Sequence, residues 1–367
     1  MDPVGCRHTP SPVVDKPTVE AHRVTGRKRK GRDDGDGQAT KRKREADNES
    51  ASCFVVSASN KEGGSRKRKQ AADGEEERQK RRRSSEPTKT CEPSGDLAEA
   101  TFVSKYWEMD QLGEGGFGTV FAGYRREDCL PVAIKHIKDK NLLPPLSPYG
   151  KELPAEVAIM LKLTVEKDDS PGMCAPIELL DWYDLGHELI LVLERPVYAV
   201  DLHDHVALNG GSLQEWEAKI IMTQLVDAAI GLEKRQIFHS DMKLHNILID
   251  IGAIVPCVRL IDFGLSRIVT KDKVITRFRG TRKHIPPEEY YKCGYMAGPT
   301  TVWQLGIILF EMLHKKVFTT GSFLKKELKI SSQLSRDSND FLQLCLKLEQ
   351  TQRATLTELQ HHPWLKN

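Results

Sequence analysis

The spacing of apolar residues divides the chain into a long segment without periodicity and a longer segment with strong periodicity. Residues 1 to about 100 show neither the apolar period of a helix nor that of a strand. They are rich in Lys, Arg, Glu, Ser, Gly and Asp, and such a segment buries too little apolar surface to offset the chain entropy lost on folding. We therefore predict that residues 1–100 form a disordered tail.

Periodic patterns begin at Tyr106 and continue to the end of the chain. Strand-like runs such as TVFAGY and PVAIKHI come first, and longer helical patterns such as LQEWEAKIIMTQLVDAAIGLEKRQ follow. Strands that precede helices are typical of an α+β fold with a sheet-rich first lobe and a helical second lobe. The pattern predicts one folded domain over residues 106–365.

The basic charge of the chain lies in the tail. Residues 1–100 carry 23 Lys and Arg against 18 Asp and Glu, whereas the remainder carries 32 against 34. The tail has four basic clusters, RKRKGR from position 27, KRKR from 41, RKRK from 66 and KRRR from 80. The ten residues QAADGEEERQ separate the last two clusters, which is the spacing of a bipartite nuclear import signal. We expect the nuclear import machinery to bind the tail, and the protein to occupy nucleus and cytoplasm.

Other partner classes find less support. Only one aromatic residue, Phe54, lies among the basic clusters and acidic stretches dilute their field, so we predict no specific nucleic-acid binding. No run approaches the roughly 20 apolar residues of a membrane span, and the first residues lack a secretory apolar core. The eight cysteines form no C-x-x-C pair, which favours reduced thiols over disulfides or zinc. We expect an unsecreted monomer without a membrane span.

A glycine-rich segment opens the domain. LGEGGFGTV places Gly113, Gly115 and Gly118 in the pattern G-x-G-x-x-G-x-V. A dinucleotide-binding fold has a helix after the last glycine, but TVFAGY predicts a strand here, so the glycines lie in a hairpin. Glycine backbone can cover triphosphate oxygens where a Cβ would collide. When such a pattern is found alone, it is an ordinary glycine-rich turn about as often as it is a phosphate-binding turn.

Two residues farther along the chain support a triphosphate site. PVAIK ends in Lys135 on a predicted strand, from which an ammonium can reach the α and β phosphates. Glu156 opens the next helical pattern and can pair with this lysine, although a solvated helix position is the alternative. Glu152 is a weaker candidate, because it precedes Pro154 and so is expected before the helix.

The sequences HSDMKLHN and DFG carry the remaining chemistry. Asp241 is predicted to accept or orient the proton of a substrate hydroxyl, and Lys243 to neutralise charge at the transferring phosphate. Asn246 and Asp262 supply hard oxygen ligands, which suit Mg²⁺. The joint order and spacing of these residues make a chance match negligible.

With these motifs, residues 106–365, about 70 per cent of the chain, resemble a Ser/Thr protein kinase domain, most closely that of the Pim family. The resemblance rests on GEGGFGTVFAG, LPVAIKHI, ELLDWY, LERP, NILID, LIDFG, GTRKHIPPEE, VWQLGI and HHPWL. It implies a bilobal fold with a small β-rich N-lobe over 106–194, a hinge over 194–200 and a larger helical C-lobe over 201–365. It also implies ATP and Mg²⁺ as cofactors, and Ser or Thr of protein substrates as acceptors. Pim-like kinases are typically active without activation-loop phosphorylation.

The segment VLERPVYAVDL supplies the predicted hinge. Leu193 stands at the gatekeeper position, and Glu194 offers a carbonyl to adenine. Pro196 has no N–H where a kinase hinge usually donates one, so we expect one hinge hydrogen bond to adenine. The full predicted ATP-binding set is Leu112, Gly113, Glu114, Gly115, Gly116, Phe117, Gly118, Val120, Ala133, Lys135, Glu156, Leu193, Glu194, Pro196 and Leu248.

Two departures from the kinase pattern bear on activity. Ser240 replaces the Arg that in many kinases binds a phosphorylated activation loop, and Thr301 replaces an Asp that braces the catalytic-loop backbone. The missing Arg reads a phosphate elsewhere, so its loss favours phosphate-independent regulation over inactivity. Glu288 is expected to pair with Arg353, as in an intact C-lobe. The alternatives are a pseudokinase and a tail that binds nucleic acid or chromatin with the kinase domain as passenger.

The expected substrate preference also departs from the family. Pim-like catalytic loops carry acidic residues before the metal-binding Asn, where this chain has Leu244 and His245. Asp201 and Asp204 after the hinge are predicted to bind substrate, whereas the activation segment TRFRGTR adds a basic lip. By charge complementarity we expect a weakened preference for basic substrates.

Overall fold

In a computed structural model of the 367-residue chain, the described residues are 95–139, 144–147, 152–166, 175–252, 255–291 and 294–366. The predictions on residues 1–94, including the basic clusters, lie outside them.

The N-lobe is one antiparallel sheet with a helix on each face. In chain order its elements are α1 (Gly95–Lys105), β1 (Tyr106–Gly115), β2 (Gly118–Arg125), β3 (Pro131–Ile137), α2 (Ala155–Val165), β4 (Leu179–Asp184) and β5 (Leu189–Glu194). The strand order is β1-β2-β3-β5-β4, so the lysine strand β3 is central. The predicted β-rich N-lobe is confirmed.

Side chains of β5 alternate between the two faces of this sheet, as the two-residue period of a strand requires. Ile190 and Val192 join a cluster that contains Phe102 of α1. Leu191 and Leu193 join the main core, which includes the buried face of α2. The apolar run LILVL therefore reflects burial on both faces.

The predicted boundary of the disordered tail is wrong for residues 95–100, because α1 already begins at Gly95. Phe102 is the buried residue of this helix, and its ring lies 5.9 Å from Tyr106 and 5.5 Å from Tyr183 between ring centroids. One buried position produces no apolar period, so docking on the sheet, invisible in the local sequence, stabilises the helix.

The C-lobe is mainly helical. Its elements are β6 (Ala199–Asp201), α3 (Leu202–Leu208), α4 (Glu215–Lys234), β7 (Ile237–Phe238), β8 (Ile247–Asp250), β9 (Cys257–Leu260), β10 (Arg267–Ile268), β11 (Val274–Ile275), α5 (Pro287–Tyr290), β12 (Tyr295–Met296), α6 (Ala297–Leu313), α7 (Thr320–Leu324), α8 (Arg336–Cys345), α9 (Leu356–Gln360) and α10 (Pro363–Lys366). The predicted helical second lobe is confirmed.

Helix α6 is the central support of this lobe. Every residue from 302 to 312 is buried, which is expected of a helix that is apolar on all sides. A Cβ added at Gly306 would lie 2.7 Å from the Cβ of Cys345, so glycine permits the close approach of α8. None of the helices in the described part of the chain is long and apolar enough to cross a membrane.

The predicted ion pair of the C-lobe is confirmed. A guanidinium nitrogen of Arg353 lies 2.7 Å from a Glu288 carboxylate oxygen, and both side chains are buried. The pair joins the short helix α5, at the end of the activation segment, to the loop before α9.

Candidate active site

Lys135 on β3 lies between two carboxylates. Its Nζ donates to an oxygen of Glu156 and to one of Asp262, each at 2.8 Å. Glu156 lies in the first turn of α2 after Pro154, and Glu152 precedes the helix, both as predicted. Burial alone would lower the pKa of Lys135, but the two carboxylates outweigh burial and raise it. The lysine is therefore a fixed cation.

Asp241 is held by residues from two segments. One carboxylate oxygen accepts a 2.7 Å hydrogen bond from Lys243 Nζ, and the other accepts one of 2.7 Å from the backbone N–H of Thr281. Lys243 also donates to the Thr281 hydroxyl at 3.2 Å. Burial acts to raise the pKa of Asp241, but Lys243 and Thr281 outweigh it, so the net shift is downward. Asp241 is an ionised acceptor at neutral pH.

Asn246 and Asp262 carry the oxygen atoms that suit a metal ion. The Asn246 amide donates to the backbone carbonyl of Asp241 at 2.8 Å, which leaves the amide oxygen as an acceptor. Asp262 has a φ of +64°, an unusual conformation for a residue with a side chain. An amide oxygen and a carboxylate are hard ligands, so the residues present fit Mg²⁺.

His239 connects the two motifs. Its buried ring packs against Phe263 at 5.0 Å between centroids, and its Nε2–H donates to the carbonyl of Ile261 at 3.1 Å. Burial lowers the pKa of His239, so the ring is neutral and Nδ1 can accept the Asp241 N–H at 3.4 Å. The histidine thus joins the segments that carry Asp241 and Asp262.

The glycine-rich turn covers a cavity of about 250 Å³ whose wall includes Gly115, Phe117, Gly118, Glu156 and Gly264. The fold itself requires only the last glycine of the pattern, because its φ is +134° and a Cβ there would lie 2.1 Å from a carbonyl oxygen. At Gly113, Gly115 and Gly116 an added Cβ meets no atom within 4 Å. Open space above bare backbone is the arrangement expected of a phosphate cover.

The predicted hinge residues lie outside the wall of this cavity, at the end of β5 and just beyond it. Leu193 pairs with Ala133 of β3, and Leu248 lies on β8 next to Asp201 of β6. The Glu194 carboxylate forms an ion pair with Arg259 at 3.3 Å. Of the remaining predicted set, Leu112, Glu114 and Val120 lie on the strands that flank the glycine-rich turn, as predicted.

The two predicted substrate carboxylates lie beside a pair of histidines. Asp201 caps α3 by accepting the Asp204 N–H at 2.8 Å, and Asp204 lies 3.1 Å from the ring of His203. That ring stacks on His245 of the catalytic loop, with centroids 4.2 Å apart. His245 stands out in the sequence as a departure from the family pattern, whereas His203 does not, because only the fold places the two rings together.

Sequence reasoning also missed the role of Thr281. Thr281 lies in the sequence GTRKHIPPEE, and its contact with Asp241 crosses 40 positions of the chain. The local apolar pattern does not reveal a contact over this distance. Only comparison of the whole motif with those of other kinases could have indicated it.

The protein kinase domain model matches residues 106–365. A serine/threonine-protein kinase pim-2 of Danio rerio is 32% identical over 269 residues, which cover 72% of this chain and 86% of the relative. A serine/threonine-protein kinase prk-2 of Caenorhabditis elegans is 28% identical and covers 72% of this chain and 59% of its own length. A serine/threonine-protein kinase 1 of African swine fever virus is 28% identical and covers 69% of this chain and 78% of the relative.

Proposed function

The chain belongs to the protein kinase domain family as a Pim-like, ATP-dependent serine/threonine kinase, and from this premise we propose that it works with Mg²⁺ and without activation-loop phosphorylation. The observation that carries the proposal is the state of Asp241. The Lys243 ammonium and the backbone N–H of Thr281 hold its carboxylate. Ser240 stands where a phosphate-reading Arg would be, so the chain lacks that common link between loop phosphate and catalytic loop.

We assign the following roles to the residues of the site. Asp241 accepts or orients the proton of the Ser or Thr hydroxyl, and Lys243 stabilises charge on the transferred phosphoryl group. Lys135, fixed by Glu156, binds the α and β phosphates. The glycine-rich turn covers the triphosphate and excludes water, while hinge residues hold adenine.

Asn246 and Asp262 would hold Mg²⁺. When bound, the ion would supply positive charge that offsets the negative charge of the phosphates. The chain contributes the fixed oxygen ligands, since the Asn246 amide is anchored to the Asp241 carbonyl.

Phosphoryl transfer is the decisive test. The full chain, treated with phosphatase and then freed of it, is incubated with Mg·ATP and a Ser/Thr peptide array, beside Asp241→Asn. We expect the unsubstituted chain to transfer phosphate and Asp241→Asn to transfer none. Mass spectrometry of residues 262–288 should show that transfer begins while this segment still carries no phosphate. ATP binding without transfer would instead identify a pseudokinase, and transfer only after loop phosphorylation would contradict phosphate independence.

We further propose that substrates need no basic residue upstream of the acceptor. The His203–His245 stack supports this, since it occupies a position where Pim-like kinases carry acidic groups. Burial and the neighbouring His203 lower the pKa of His245, so this ring is neutral at pH 7 and attracts no arginine. Asp201 is also partly engaged as a helix cap.

Two peptides that differ only by Arg or Glu upstream of Ser test this preference. We expect similar kcat/KM values for the wild-type chain, and a shift toward the Arg peptide in His245→Glu. A large advantage of the Arg peptide with the wild-type chain would contradict the proposal.

The basic clusters support a further proposal of nuclear import. Alanine substitution of RKRK from 66 and KRRR from 80 should move a fluorescent fusion toward the cytoplasm. Unchanged nuclear signal in that variant would contradict the assignment.

A further inference from the structure

The two residues that depart from the kinase pattern leave the catalytic loop with a different support. Ser240 is fully buried and has a φ of +73°, a left-handed conformation that residues with a side chain rarely adopt. The Thr301 hydroxyl donates to the carbonyl of Ala297 at 2.9 Å, within its own helix α6. Thr301 therefore satisfies its hydroxyl locally and does not replace the missing Asp as a brace.

Gln304 lies one helical turn after Thr301 and contacts the catalytic loop. Its side-chain Nε2 donates to the backbone carbonyl of Ser240 at 2.7 Å, and the residue is only 2% exposed. Helix α6 is the most deeply buried helix of the C-lobe, so it offers a rigid base for this bond. The amide is fixed at one end by the helix and at the other by the loop.

The carbonyl that Gln304 binds belongs to the peptide between Ser240 and Asp241. The N–H on the other side of this peptide is that of Asp241, and it points to His239 Nδ1 at 3.4 Å. A peptide unit is planar, so two hydrogen bonds on opposite sides fix the orientation of the whole unit. That unit sets the direction in which the Asp241 side chain leaves the backbone.

The same carbonyl lies against the activation segment. A Cβ added at Gly280 would lie 2.9 Å from the Ser240 oxygen, and Gly280 has a φ of +153°. The next residue, Thr281, donates its N–H to the Asp241 carboxylate. Gln304 therefore holds the point where the catalytic loop and the activation segment pack together.

We propose that Gln304 is a positioning residue for phosphoryl transfer, which orients Asp241 through the Ser240 carbonyl in place of the bracing Asp that Thr301 replaces. The inference rests on the proposed kinase activity. It adds to that activity an internal support from α6 that needs neither the arginine replaced by Ser240 nor a loop phosphate.

Gln304→Met is the principal test, because methionine has a similar length but no donor. We expect kcat to fall about tenfold or more, as for a lost buried hydrogen bond, while the KM for ATP stays within about twofold. Gln304→Asn keeps the amide on a shorter side chain that cannot reach the Ser240 carbonyl, so it should also lower kcat. This variant serves as the test if Gln304→Met folds poorly. Thr301→Val is the matched control on the same helix and should keep the wild-type kcat.

Amide hydrogen exchange provides a readout that does not depend on turnover. We expect faster exchange in residues 239–246 and at Thr281 in both Gln304 variants, with α6 itself unchanged. If both variants kept the wild-type kcat and the wild-type exchange rates, the inference would be wrong. It would also be wrong if exchange increased throughout the domain and kcat and KM changed together. Absence of transfer by the unsubstituted chain would contradict the proposed function, and the exchange measurement would still decide the role of Gln304.

Discussion

The Asp241 carboxylate is held by two groups that also bind one another, which makes Thr281 more than a backbone donor. Lys243 Nζ lies 2.7 Å from Asp241 and 3.2 Å from the Thr281 hydroxyl, so this hydroxyl helps to fix the ammonium. Hydrogen bonds to charged groups are stronger than neutral ones. The lysine therefore depends on the activation segment for its position.

Thr281→Val removes this hydroxyl and keeps the backbone N–H and the side-chain shape. We expect kcat to fall about tenfold to a hundredfold, since a hydrogen bond to a charged group contributes about 1.5–3 kcal/mol. Steady-state kinetics with a Ser peptide measures the effect. Thr281→Ser keeps the hydroxyl and should retain most of the activity, so equal losses in the two variants would contradict this role.

Residues of this kind separate what the sequence can predict from what it cannot. Lys135, Glu156, Asp241 and Asp262 stand in motifs whose spacing reflects a common chemistry. The structure brings Lys135 to Glu156, its predicted partner, and also to Asp262, which was predicted only as a metal ligand. Gln304 lies in VWQLGI, which supports the family resemblance but predicts no contact for this side chain. Its contact with Ser240 spans 64 positions and forms only because α6 passes beneath the loop.

At the scale of elements, α1 shows how a helix can depend on one side chain. Phe102 is 7% exposed and packs against Tyr106 and Tyr183, whereas its neighbour Val103 is 53% exposed. A helix of eleven residues is marginal by itself in water. The docked aromatic ring therefore decides whether the helix forms.

Phe102→Ala should detach α1 from the sheet. Large-to-small changes at buried phenylalanine cost about 3–5 kcal/mol in the free energy of unfolding, and the lower end is expected at this edge of the N-lobe. Urea unfolding measures the loss, and limited proteolysis near Lys105 reports the detached helix. Val103→Ala is the control and should change the stability little, so equal effects of both substitutions would contradict the docking role.

Helix α6 is buried on all sides, in contrast to α1, which has one buried residue. Its apolar run was quoted only as part of the family resemblance, because a helix buried on all sides has no polar face to mark its period. The β-rich lobe was easier to predict, since its strands are short runs of β-branched and aromatic residues between turn residues. Periodicity reports one-sided burial best, which neither α1 nor α6 displays.

At the scale of the whole molecule, three histidines connect stability to pH: His239 is buried, His314 is half-buried and His245 is exposed. Burial lowers the pKa of His239, of His245 and of His314 below the ordinary value of 6.5. The charges of His203, Lys243 and Lys283 lower the pKa of His245 further, whereas Asp201 acts to raise it. His314 accepts the Ser331 N–H at 2.9 Å through Nε2, a bond that needs the neutral ring.

The sign of the effect follows from proton uptake. Unfolded histidines titrate near pH 6.5, whereas the three folded ones stay neutral to lower pH, so the unfolded state binds more protons in that window. Stability should be unaffected by these groups above pH 7 and should fall as the pH drops through 6.5. The slope is at most about 1.4 kcal/mol per pH unit for each histidine, and it is smaller for the exposed His245, whose charge water screens.

Urea unfolding of the full chain between pH 7.5 and 5.5 measures this loss, and His245→Gln should reduce the slope by removing one titrating group from the catalytic loop. Exposed His187 provides the control, since His187→Gln should leave the slope unchanged. The lowered pKa values of Asp241 and Glu311 act in the same direction but only at lower pH, because unfolded carboxylates titrate near pH 4 and these two folded ones titrate below their ordinary values. A stability that rises on acidification from pH 7 to 6 would therefore contradict the neutral state of these histidines, including the His239 ring that connects Asp241 to the Asp262 segment.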